Sequence, residues 1–163
     1  MAGRAPARRS RPRPRRHARF AVVAARFNEP IVKKLVDGAV HAFVEGGVAP
    51  EAVDVHWVPG SFELPLAAHH LASSRRYAGI ACVGVVIKGE TPHFDYVARE
   101  AASGIRQVSL ATGLPVTFGV ITALNEAQAW ARAGGEVGNR GAEAADAALE
   151  MADFGVRTRR VRG

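Results

Sequence analysis

Val85-Val86-Ile87-Lys88-Gly89-Glu90-Thr91-Pro92-His93-Phe94-Asp95-Tyr96 decides the fold, because here an apolar strand runs through a glycine turn into a Thr-Pro helix start. Proline suits a first helical turn, since its missing N–H is one that the helix leaves unpaired anyway. That puts His93 at the second helical position, behind a threonine whose hydroxyl can cap the helix. Working outward, apolar runs at residues 20–25, 53–57, 80–88 and 116–121 read as strands. Helical patterns fill residues 30–45, 62–73, 92–111, 126–132 and 139–154. Strands alternating with helices predict an α/β fold, a three-layer α/β/α sandwich around a central parallel sheet. Val32, Val36, Ala39 and Phe43 form one buried helix stripe, and Val97, Ala101, Ile105 and Val108 another. Gly46-Gly47 ends the first helix. The glycine-rich residues 134–141 follow no strand, so they are no phosphate loop; they read as a flexible joint into a helix capped by Asn139.

A chain of 163 residues with 48% hydrophobic content can bury one core and is too short for two ordinary domains. No apolar run approaches the roughly 18 residues of a membrane span, and residues 20–25 are too short for a secretory signal. These features predict a soluble cytoplasmic protein without a membrane partner. The single cysteine, Cys82, lies inside an apolar run and reads as a small core residue.

The net charge of +7 is unevenly spread. Residues 1–19 hold eight arginines and no acid, and residues 157–163 hold four more. Subtracting those twelve charges leaves −5 on residues 20–156, so the body is acidic and the ends are basic. We therefore divide the chain into an arm (1–19), a domain (20–156) and a basic tail (157–163). The arm, rich in arginine and proline and almost devoid of apolar residues, is expected to be disordered. It reads as a solvated extension or as a weak binder of polyanions such as nucleic acid. An arginine-rich, acid-free start also fits an organellar transit peptide, although its proline density opposes an amphipathic helix.

In a parallel sheet ligands bind beyond the carboxyl ends of the strands, where helix N-termini present free N–H groups and a positive dipole. Arg26-Phe27-Asn28, Pro59-Gly60-Ser61-Phe62-Glu63, residues 88–93 and Thr122 all fall there. Gly89 allows a tight turn, after which the amides of Glu90 and Thr91 can face an anion; an ordinary capped turn is the alternative. At a helix N-terminus the dipole disfavours a protonated ring, which suits His93 to accept a proton. His41, His56, His69 and His70 read as structural, and no metal site is expected. Arg132 can complete a phosphate clamp or be a surface arginine. Phe27, directly after a strand, can stack a flat heterocycle or pack in the core.

Together, Arg26-Phe27-Asn28, Pro59-Gly60-Ser61-Phe62-Glu63-Leu64-Pro65, residues 86–97, Phe118-Gly119-Val120-Ile121-Thr122 and the stretch from Gln128 to Ala145 resemble the 6,7-dimethyl-8-ribityllumazine synthase family over roughly residues 20–154. The resemblance implies a flavodoxin-like fold with four parallel strands. It also implies an enzyme, a transferase that condenses 5-amino-6-(D-ribitylamino)uracil with 3,4-dihydroxy-2-butanone 4-phosphate without metal or redox cofactor. By matching position, Phe27 stacks on the pyrimidine, while Ser61, Phe62 and Glu63 hold pyrimidine and ribityl chain with help from Asn28. Backbone at Val85, Val86 and Ile87 reads the pyrimidine edge; Glu90, Thr91 and Arg132 bind phosphate; His93 shuttles protons; Phe118 and Arg140 line the pocket. Lys88, Arg140, Ala131 and the run Ala123-Leu124-Asn125 depart from the family's usual residues, which bears on the phosphate rim. The resemblance further implies pentamers with sites between subunits, and an icosahedral shell that encloses riboflavin synthase as cargo. The alternative is a shell protein that binds lumazine or flavin without turnover, its arms holding polyanion cargo.

Overall fold

The structure, a computed structural model, describes residues 14–161. Four parallel strands, β1 (Phe20–Ala25), β2 (Val53–Val58), β3 (Gly79–Ile87) and β4 (Val116–Ala123), pair in the order β2-β1-β3-β4. This is the three-layer sandwich that the alternating pattern predicts, with the flavodoxin-like topology that the resemblance implies. The central strands β1 and β3 are apolar runs, β1 buried throughout and β3 through Val85, as strands covered on both faces must be. The edge strand β2, Val-Asp-Val-His-Trp-Val, is nowhere fully buried.

Alternation along the strands splits the core in two. Val22, Ala24, Ala81 and Val83 face helices α1 (Glu29–Glu45) and α5 (Arg140–Arg160). Val23, Ala25, Ile80 and Cys82 face α2 (Leu64–Ser73) and α3 (His93–Thr112). Phe20 stacks at 4.9 Å on Phe43 of α1, and each buried ring contributes about 1.5–3 kcal/mol. Alanines 144, 145 and 148 let α5 lie close to the sheet, where Thr117 Oγ1 donates to the Ala144 carbonyl at 2.7 Å. Gly141 brings α5 onto the backbone of Leu35, and a Cβ there would collide with the Leu35 carbonyl. Asn139 ties the same pair of helices. Its Oδ1 accepts from Ala142 N at 3.0 Å, capping α5 as expected, while its Nδ2 donates to Lys34 O at 2.9 Å.

Several local expectations are corrected. The helix after β3 begins at His93, with Pro92 as the N-cap and Asp95 N donating to its carbonyl at 3.0 Å. Thr91 therefore sits one residue too early for its hydroxyl to reach the first turn, and makes no cap. Residues 61–63 form a short 3-10 turn before α2. The glycine-rich joint is a small antiparallel hairpin of β5 (Ala133–Gly135) and β6 (Gly138–Asn139) after the short helix α4 (Glu126–Ala131). Its tight reversal uses Gly134 and Gly138 at φ of 102° and 109°, a region costly for residues with a side chain. Helix α5 runs on to Arg160, through the first residues of the basic tail. Arg157 pairs with Asp153 one turn earlier, and arginines in a last turn complement the helix dipole. Residues 1–13 lie outside the described part.

Candidate functional site

A cleft of about 480 Å³ opens where β1, β2 and β3 end, and its walls come from four separate segments. Phe27 and Asn28 follow β1, Ser61, Phe62 and Glu63 follow β2, Val85, Val86 and Ile87 end β3, and His93 opens α3. Every one of these was expected at the site from sequence. The rim is aromatic: Phe27, Phe62 and Tyr96 are 71%, 58% and 64% exposed. Three solvent-facing rings around one concavity are poor for folding and well suited to a planar ligand. Of the two readings of Phe27, its exposure removes the one that packs it in the core of this chain.

Gly60 lets the rim close up. A Cβ at this position would stand 3.2 Å from Phe27 Cδ2 and 3.1 Å from Glu63 Oε2. Ser61 below it is 4% exposed, and its hydroxyl has no hydrogen-bond partner. A buried polar atom left unpaired costs about 1–3 kcal/mol, which sets this hydroxyl apart from the rest of the cleft wall. Asn28 is a second point of strain. It sits at φ 58° without capping α1 through its side chain; Nδ2 instead donates to Val85 O at 3.3 Å. Backbone strain of this kind persists where surrounding contacts enforce it, often at ligand sites.

The sheet register explains how backbone enters the site. The β1–β3 ladder stops with Ala24 opposite Val83, whereas β3 continues against β4 to Ile87 opposite Ala123. Val85, Val86 and Ile87 thus project beyond β1 with one backbone edge turned to the cleft. Two residues of the lining escaped the sequence reading. Tyr96 and Val97 stand three and four positions after His93, hence on its face of α3. That spacing was the available signal; Val97 is half-buried at the cleft instead of belonging to the core stripe.

Other expected residues are not in this cleft. Glu90 and Thr91 are exposed in the loop that joins two of its walls, between Ile87 and His93. Phe118 lies on the edge strand β4, 45% exposed. Arg132 and Arg140 meet each other at the base of the hairpin, where Arg140 N donates to Arg132 O at 2.9 Å. There Arg132 Nη1 donates to the Gln128 carbonyl at 2.9 Å, and Arg140 pairs with Glu143. Cys82 is fully buried and burial pushes its thiol up to about 12, so it is no nucleophile. Among the described residues, no group of three or more His, Cys, Asp and Glu converges as metal ligands do. No described helix is long and apolar enough to cross a membrane.

An open parallel sheet with a cleft beyond its strand ends defines a flavodoxin-like α/β protein with its concavity where ligands of such sheets bind. The sequence of residues 17–155 matches the 6,7-dimethyl-8-ribityllumazine synthase family, and the chain belongs to it. The family's name is that of the lumazine synthase of riboflavin biosynthesis.

Proposed function

We propose that the cleft condenses 5-amino-6-(D-ribitylamino)uracil with 3,4-dihydroxy-2-butanone 4-phosphate into 6,7-dimethyl-8-ribityllumazine, with release of phosphate and water. One observation carries this reading: a single chain of this family gathers Phe27, Asn28, Ser61, Phe62, Glu63, Val85, Val86, Ile87 and His93 around one cleft. The pyrimidine stacks on Phe27, and its polar edge meets the backbone edge of Val85, Val86 and Ile87 that β1 leaves uncovered, where Asn28 Nδ2 already holds the Val85 carbonyl. Ser61 gains the partner its hydroxyl lacks, and Glu63 with Phe62 holds the ribityl chain.

The primary amine attacks the ketone and the carbinolamine loses water to give an imine. Phosphate is then eliminated, and the ribitylamine nitrogen closes the second ring by attack on the remaining carbonyl with loss of a second water. Both reactants are intrinsically reactive, so holding them in attack geometry supplies most of the acceleration. His93, at the cleft and at a helix start, moves the protons and adds about 10²–10⁴-fold. Phosphate is held by Thr91 and the Glu90 backbone together with Arg132. Because Arg132, Arg140 and Phe118 lie on another side of the chain, this reading has them complete the cleft of an adjoining subunit in a cytoplasmic pentamer or shell.

The test is to mix purified protein with both substrates and follow lumazine absorbance. A rate far above background that drops at least 10²-fold in Phe27→Ala and His93→Gln together supports the assignment. Tight lumazine binding without turnover would leave a binding protein only, and a solution mass equal to one chain would remove the shared site.

A further inference from the structure

The two basic ends of the chain are some 140 residues apart in sequence, yet they converge. Because all four strands are parallel, everything that precedes a strand lies at one pole, opposite the cleft. Residues 14–19 enter β1 there, and the last turn of α5 returns to the same place. Between them runs a groove of about 470 Å³ whose lining includes Arg15 from one end and Arg157, Arg159 and Arg160 from the other. Among its described lining residues Asp153 is the one carboxylate, and it is paired with Arg157 at 2.8 Å. Arg15, Arg159 and Arg160 stand exposed. Arg75 and Arg76, in the loop before β3, are exposed at the same pole. On a body of net charge −5 this is a concentrated cationic patch, with five further arginines in residues 1–13 continuing from its rim at Pro14.

We propose that this arginine pole binds single-stranded nucleic acid through its phosphodiester backbone. All the cations are arginines, whose planar fork pairs with phosphate oxygens two at a time. A groove admits a chain of phosphates, whereas a lipid headgroup layer offers a plane. The aromatic residues of the groove, Phe20 and Tyr77, are 1% and 6% exposed, so bases find no stacking surface. Binding is therefore independent of sequence and governed by release of counterions. The cleft lies at the other end of the sheet and stays open, so the inference does not depend on what the cleft catalyses.

The experiment uses the full chain and a fluorescent 20-nucleotide oligouridylate, read by anisotropy between 50 and 200 mM salt. Affinity should fall steeply with salt, about 0.7 in log–log slope for each phosphate neutralised. Combining Arg15→Gln, Arg159→Gln and Arg160→Gln should weaken binding at least tenfold at low salt and flatten the slope by about 2. The lumazine assay serves as a control and should be unchanged because these side chains are far from the cleft, and the melting temperature should move by only a few degrees, the size of the lost helix-end pairing. A second variant replaces Arg4, Arg8, Arg9, Arg11 and Arg13 with glutamine; it should keep salt-dependent binding. The proposal is overturned if the full chain does not bind, or if the groove variant binds like the wild type. It is equally overturned if anionic phosphatidylserine vesicles are bound and the oligonucleotide is not.

Discussion

Gly84→Ala tests whether the Ser61 turn sets the geometry of the cleft. Gly84 lies in β3, and a Cβ there would stand 2.5 Å from Ser61 Oγ and 3.3 Å from Ala25 Cβ. An ordinary carbon–oxygen contact needs nearly 1 Å more, and Ser61 is 4% exposed in the three-residue turn that borders the cleft. Either the hydroxyl swings from its place or the turn lifts with Ser61, Phe62 and Glu63, and both change the wall of the cleft. Overpacking of this kind costs about 1–3 kcal/mol, or about 3–10 °C in melting temperature for a chain of this size. A displacement near 1 Å at reacting groups costs about 10²-fold in rate. Gly79→Ala supplies the control. Its Cβ would meet Phe20 Cε1 at 3.0 Å and Cδ1 at 3.2 Å at the start of β3, the end of the strand away from the cleft, so it costs stability without touching the site. Calorimetry and kcat/KM for lumazine formation should show both variants less stable, with Gly84→Ala alone losing about 10²-fold in kcat/KM. Equal losses in both variants, or an unimpaired Gly84→Ala enzyme, would refute the argument.

Asn139→Ala removes both the α5 cap and the bond to Lys34 O, and should cost about 2 kcal/mol in urea unfolding; a loss under about 0.5 kcal/mol would mean that the α1–α5 contact does not depend on it. Cys82, its thiol pushed up to about 12 by burial, should react with an aromatic disulfide at pH 8 only as fast as the protein unfolds, so prompt labelling of the native protein contradicts the core placement. Asp54 accepts from Tyr77 Oη at 2.7 Å and pairs with Arg19 at 2.7 Å, and the tyrosine bond first, then the arginine, holds its carboxyl below the ordinary 3.8. A lowered carboxyl contributes stability above its unfolded value and loses it as pH falls through the folded one, so Asp54→Asn should be less stable at pH 7 and flatten the acid limb below pH 3.8. An identical acid limb in urea titrations of both proteins would show that Asp54 contributes nothing there.

What sequence could tell was set by the range of each signal. The unbroken apolar runs of β1 and β3 announced a sheet buried on both faces, and the Asn139 cap was legible because it acts over three residues. Val85, Val86 and Ile87 came to the site only through the family resemblance, whereas Phe27, Asn28, Ser61, Phe62, Glu63 and His93 were legible too, since each follows a strand and strand ends share a rim. The hairpin was not: three residues against two are too few for a period of two to show, and glycine hides whether a turn is tight or loose. Thr91 was misread because one residue of register separates a cap from a bystander, and only the hydrogen bond from Asp95 N to Pro92 O fixes it. For Arg132 nothing in the sequence signalled that Nη1 donates to the Gln128 carbonyl, a choice made by the local helix end.

The polarity of the parallel sheet links the two ends of the molecule. Helices α1, α2 and α3 each begin at the carboxyl end of a strand, so three positive dipole ends surround the cleft, where a phosphate-bearing substrate would add negative charge. The same three helices, and α5, end at the opposite pole, and the negative ends of α3 and α5 lie at the arginine groove there. Each such pairing is worth about 0.3–1 kcal/mol at a surface, enough to offset part of the mutual repulsion of the guanidiniums before any partner arrives. A fold wound this way can therefore keep an anion site at one end and a cationic groove at the other without either charge entering the core between them.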